Sequence, residues 1–198
     1  MTHHVIYVPG LGDYNSHGQE TVPAGWNKYG VVGHYNPMVW NDKEPFAPKF
    51  QRLLDKIDRL SAEGPVSLVG ASAGASVALL ALAKRPKKVA GVVCLAGKIH
   101  HPETVRPELY AENPAFREAL EQLQEALPEI QSKYAARIMS IHALYDGSVP
   151  ARDSIIPGAH EKTMPTIGHV ISIVLMLAFR SGTIIRFLQK QAAKIIAT

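Results

Sequence analysis

One cysteine in 198 residues leaves the chain no internal disulfide. That residue, Cys94, lies in the apolar run Val89 to Leu95 and reads as a buried thiol in a reducing compartment. Long hydrophobic runs are also lacking. The longest, Val170 to Phe179, is about half of the roughly 20 residues a bilayer requires, and Ser172 interrupts it. No charged start followed by an apolar stretch and a small-residue cleavage site opens the chain, so a cytoplasmic location without a membrane span is expected. Charge of one sign is scarce as well: 21 Lys and Arg against 17 Asp and Glu give a net charge of +4. The basic residues are scattered except for Lys84, Arg85, Lys87 and Lys88, which close a predicted helix, where cations suit the dipole. No nucleic-acid partner is expected from so diffuse a charge. Repeats, low-complexity tracts and linkers are absent too, which leaves one domain over residues 1–198.

What is present is an alternation of apolar strands and amphipathic stretches. His3 to Val8 reads as a buried strand closed by Pro9, Gly10 and Gly12, and Val31 to Trp40 contains a weaker one broken by Pro37. Phe46, Phe50, Leu53, Leu54, Ile57 and Leu60 follow helical spacing, with Pro45 at the start. Val66 to Val69 is a third strand, followed after a tight turn by an alanine-rich helix that lasts until Pro86. Val89 to Leu95 and Arg137 to Leu144 are β-branched runs typical of strands buried on both faces. Between them, residues 98–134 form an insertion that opens as a Pro-rich loop and continues as a helix from Asn113-Pro114 until Pro128 breaks or kinks it. Glu161 to Met164 fits a last short strand, and one long helix follows His169. This order predicts a single-domain α/β fold, a mostly parallel sheet with helices on both faces.

The chemistry starts at Gly70-Ala71-Ser72-Ala73-Gly74. A strand precedes this turn and a helix follows it, the setting in which a serine hydroxyl projects above a sheet. The alternative is a small-residue turn that serves only close strand-helix packing. A nucleophilic serine needs a base and a carboxylate that orients the base. Asp146 stands in the turn after the strand that ends at Leu144, at the edge where open α/β sheets bind ligands. His169 follows the last strand in Ile167-Gly168-His169. Asp153, Asp13 and Glu161 compete with Asp146, and His160 competes with His169. His160 enters the last strand from the opposite edge, whereas His169 leaves it at the edge that carries Ser72 and Asp146, so His169 is the expected base.

These residues, in this order and in these contexts, resemble the α/β-hydrolase family across nearly the whole chain. In size and in its Val8-Pro9-Gly10 opening the chain is loosely similar to compact serine hydrolases related to the retinoblastoma-binding serine hydrolase. The resemblance implies a catalytic triad of Ser72, Asp146 and His169, with the backbone N–H groups of Leu11 and Ala73 as the oxyanion hole. It departs from many relatives in carrying Pro9 where they have His, and in starting without the family's amino-terminal antiparallel strands. The implied activity is hydrolysis of a small-molecule carboxylic ester or thioester, without cofactor, by a monomer or homodimer. The insertion 98–134 falls where relatives place a cap, which makes Tyr110, Phe116 and Leu120 candidate pocket residues; the alternative is that its helix is an ordinary layer on the sheet and only the loop before it borders the pocket. His100 and His101 lack a third ligand at metal spacing, so no metal is expected. The rival function is a non-catalytic protein of the same fold that binds a partner or small ligand.

Overall fold

A computed structural model describes residues 1–13 and 18–196. The apolar runs form six strands: β1 (His4–Val8), β2 (Val32–Tyr35), β3 (Val66–Ala71), β4 (Val89–Leu95), β5 (Ile138–Tyr145) and β6 (His160–Ile167). They lie in the order β2-β1-β3-β4-β5-β6, and every neighbouring pair is parallel. The inner strands β1, β3 and β4 are buried along their whole length, because helices cover both faces.

Among the described residues, seven α-helices connect and cover the sheet: α1 (Phe46–Leu60), α2 (Ala73–Lys84), α3 (Pro107–Glu112), α4 (Pro114–Tyr134), α5 (Ala151–Ser154), α6 (His169–Phe179) and α7 (Ser181–Ile196). Alternation along the strands divides the core in two. Ile6, Val8, Leu68, Val92 and Cys94 face α1, α2 and α4. Val5, Tyr7, Val69, Val93 and Leu95 face Trp26, Met176 and the α7 residues Ile184, Ile185 and Leu188. Trp26 comes from a 3-10 helix, Pro23–Tyr29. Small residues fill α2 because it is buried on every side.

Three expectations about elements change. The insertion contains α3 before the long helix, and that helix, α4, runs through Pro128 to Tyr134, with Ile130 fully buried beyond the proline. The last strand has eight residues rather than four, since pairing with β5 extends it although Met164 alone of its side chains is buried. Pro165 is tolerated there because β6 is an edge strand, and it falls where the register with β5 is irregular. Finally, the C-terminal helix is two helices that meet at 68°.

Candidate active site

Four loops leave the sheet at its carboxyl edge, and each brings one piece of the site. β3 ends at Ala71, and Ser72 follows with φ 49 and ψ −118, a conformation that a non-glycine residue holds only when its surroundings impose it. The imposition is visible. The Ser72 N–H donates to the Leu95 carbonyl at 2.9 Å, while the Ser72 carbonyl accepts from the N–H groups of Ala75 and Lys98. A Cβ on Gly74 would stand 2.2 Å from the Val8 carbonyl oxygen, so glycine lets α2 begin directly against β1. A Cβ on Gly10 would stand 2.8 Å from the Ser72 Cβ, which locates the first loop beside the serine.

β5 and β6 supply the other two groups. Asp146 follows β5; its Oδ1 accepts the N–H groups of Ser148 and Val149, both at 2.9 Å. Its Oδ2 lies 2.7 Å from His169 Nδ1, and His169 Nε2 lies 2.8 Å from Ser72 Oγ. The carboxylate is almost wholly buried, and the imidazole is the more accessible of the two. With Oδ1 filled by backbone donors, only Oδ2 remains for the imidazole, which fixes the ring so that Nδ1 carries the proton and Nε2 faces the hydroxyl.

The competing residues go elsewhere. Asp153 forms a buried ion pair with Lys98, Glu161 pairs with His142 at 2.9 Å, and His160 packs edge-on against Phe187, paired in register with Met139 near the start of β5. Asp13 folds back on the chain: Oδ2 accepts from the N–H groups of Met38 at 2.6 Å and Val39 at 2.7 Å, and Oδ1 from Trp40 at 3.2 Å. Burial raises its pKa, and these three donors act against that rise.

Above Ser72 opens a cleft of about 690 Å³, within the range of small-molecule sites. Leu11, Ser72, His169 and Phe116 line it. Ala73 opens α2, so its N–H has no partner within the helix. Tyr110 and Leu120 are not in this lining. The Tyr110 hydroxyl donates to the Pro102 carbonyl beside a separate shallow groove. Leu120 is fully buried, because the apolar face of α4 packs on α1 and α2 and only its first turn, with Phe116, reaches the cleft. Further lining comes from Thr104, Val105, Arg106 and Leu109 and from Val170, Ile173, Val174 and Leu177 of α6. Sequence reasoning missed α6 because its apolar run reads as core. It also missed Lys98, although a residue just past β4 stands at the functional edge. Among the described residues, no three His, Cys, Asp or Glu side chains converge as a metal site would.

Comparison with solved structures gives likenesses over nearly the whole chain. Est1E from Butyrivibrio proteoclasticus superposes with a TM-score of 0.71 at 16% identity, covering 97% of this chain and 89% of that one. A monoacylglycerol lipase from Paleococcus ferrophilus gives 0.66 at 13% identity, covering 95% and 94%. An α/β-hydrolase enzyme from the sediment metagenome of the Mar Chica lagoon, Morocco, gives 0.64 at 17% identity, covering 96% and 90%. The fold is the α/β-hydrolase fold. No protein-family model and no curated protein sequence matches the chain. Ser72 occupies the turn between β3 and α2, and Asp146 and His169 follow it in that order along the chain.

Proposed function

We propose that the protein is a serine hydrolase that cleaves a carboxylic ester or thioester through an acyl-enzyme on Ser72. The observation that carries the reading is the unbroken chain of hydrogen bonds from Ser72 Oγ through His169 to the buried Asp146 carboxylate. In the first half-reaction His169 Nε2 takes the hydroxyl proton as Oγ attacks the carbonyl carbon. The imidazolium is stabilised by Asp146. The oxygen that becomes negative lies between the N–H groups of Leu11 and Ala73, donors fixed in place before the substrate arrives. The intermediate collapses, His169 returns its proton to the leaving alcohol or thiol, and the acyl group stays on Ser72. Water then attacks the acyl-enzyme, with His169 again taking a proton, and the acid is released. The apolar lining from Leu109, Phe116, Ile173 and Leu177 suits a hydrocarbon acyl part. Esterase and lipase names among the similar structures point the same way.

The test is labelling by a fluorophosphonate probe together with hydrolysis of nitrophenyl esters and acyl thioesters. Ser72→Ala abolishes both readouts and keeps the fold, since it removes one oxygen from a site built for small residues. His169→Ala lowers kcat by several powers of ten, while His160→Ala keeps most of the activity. A histidine base must also be neutral, so the rate falls on acidification. A folded wild-type chain that neither labels nor hydrolyses would leave the binding function of the same fold as the reading.

A further inference from the structure

Helix α6 has an apolar sequence, HVISIVLMLAF, yet much of it faces solvent. A helix apolar on all sides is ordinarily buried. Here Val170, Ile171, Val174 and Phe179 are between 57% and 75% exposed. Ile171, Val174 and Ala178 follow the spacing of one helical face. Tyr145 and Ile167 extend the patch: they are 66% and 69% exposed, and they are register partners at the ends of β5 and β6, immediately before α6. A patch of this composition marks a surface that something covers.

Charge and position identify the occupant. After Glu161 the chain carries no Asp or Glu, while Lys162, Arg180, Arg186, Lys190 and Lys194 follow. Arg180 is exposed directly after Phe179. An apolar helix face with an exposed arginine at its end, followed by a chain whose only side-chain charges are cationic, is complementary to an anionic lipid surface. Val170 and Val174 belong both to the patch and to the lining of the cleft over Ser72. A second protein copy seated on the patch would close the mouth of that cleft; a fluid lipid layer delivers hydrocarbon substrates to it. We infer that α6 and the adjoining ends of β5 and β6 form a docking face for anionic phospholipid surfaces, opening the cleft toward the lipid. The statement about delivery rests on the hydrolase reading, whereas docking itself does not involve Ser72.

Flotation of the full chain with vesicles tests it. The protein is expected to float with vesicles of phosphatidylglycerol and phosphatidylcholine, and about tenfold less with phosphatidylcholine alone or in high salt. The double variant Ile171→Glu, Phe179→Glu changes residues outside the cleft lining. It is expected to lose about tenfold or more in partitioning while its circular dichroism and its hydrolysis of a soluble short-chain ester stay at wild-type levels. Ser72→Ala is expected to float like wild type, and a wild-type chain that floats but neither labels nor hydrolyses would overturn only the hydrolase reading. Absence of flotation, flotation unchanged in the glutamate variant, or a dimer in solution that the glutamates dissociate would each overturn the docking face.

Discussion

Asp13 ties the loop beside Ser72 to a distant stretch of chain without touching Ser72. Its carboxylate gathers three successive N–H groups, including that of Val39, which adopts φ 50. Trp40, bound through its backbone to Asp13, also donates its indole N–H to the Pro9 carbonyl at 3.3 Å. The loop that contains Leu11 is therefore tied at both ends, at Pro9 and at Asp13. Asp13→Asn replaces one acceptor oxygen by an NH2 group that faces backbone donors, which costs about 1–3 kcal/mol. Thermal unfolding should register that loss. On the proposed mechanism ester hydrolysis should fall about tenfold or more, because a loop assigned an oxyanion donor must hold its position to within a fraction of an ångström. A variant with wild-type Tm and wild-type kcat/KM would separate Asp13 from the site. The meeting of Ser72 and His169 was legible because each stands after a strand and before a helix, which brings both to the same edge of the sheet. The role of Asp13 was not: an acid in a Gly-rich loop gives no sign that its partners lie 25 residues further along.

At the scale of elements, the misreadings share a cause: tertiary contacts override local signals. α4 continues past Pro128 because Ile130 is fully buried on the core beyond it, and Tyr134 packs against the same core. Pro128 itself is exposed, so the Gln124 carbonyl that it leaves without an N–H partner lies on the water side. Gln124 meanwhile ties α4 to the loop after β4, its side-chain amide donating to the Ile99 carbonyl at 2.8 Å. Pro128→Ala restores the missing helical bond without disturbing the buried face. It should raise stability by ~1–3 kcal/mol, measured by urea unfolding; an unchanged or lower midpoint would mean that the proline is favoured by its surroundings. The division between α6 and α7 was missed for a related reason. Ser181-Gly182 is only a weak local break signal; the Ser181 hydroxyl donates to the Leu177 carbonyl and accepts the indole N–H of Trp26 at 3.1 Å, a contact across 155 positions.

For the whole molecule, alternation in the strands sends successive side chains into two cores, and the sheet's carboxyl edge collects the site. The opposite end of the same sheet holds a cluster of histidines with another consequence. His3 is buried with Nε2 2.9 Å from Ser67 Oγ, and burial, reinforced by neighbouring His4, lowers its pKa from 6.5 to about 4. Across β1 and β2, His34 lies 3.0 Å from His4. Its pKa falls to about 4 as well, through burial first and then through Lys56 and the other cations near it. Both groups resist protonation in the folded chain and accept it readily once unfolded. Between about pH 6.5 and pH 4 the unfolded state therefore binds more protons. Stability is full above that window and is lost as pH falls through it. Asp13 acts in the opposite sense, since burial raises its pKa, but it is one group against two. Tm should fall steadily from pH 7 toward pH 4, and His3→Gln, which keeps a hydrogen-bonding partner for Ser67 but does not titrate, should flatten the slope. A Tm independent of pH over that range, or a slope unaltered in His3→Gln, would show that these histidines are as easily protonated inside the fold as outside it.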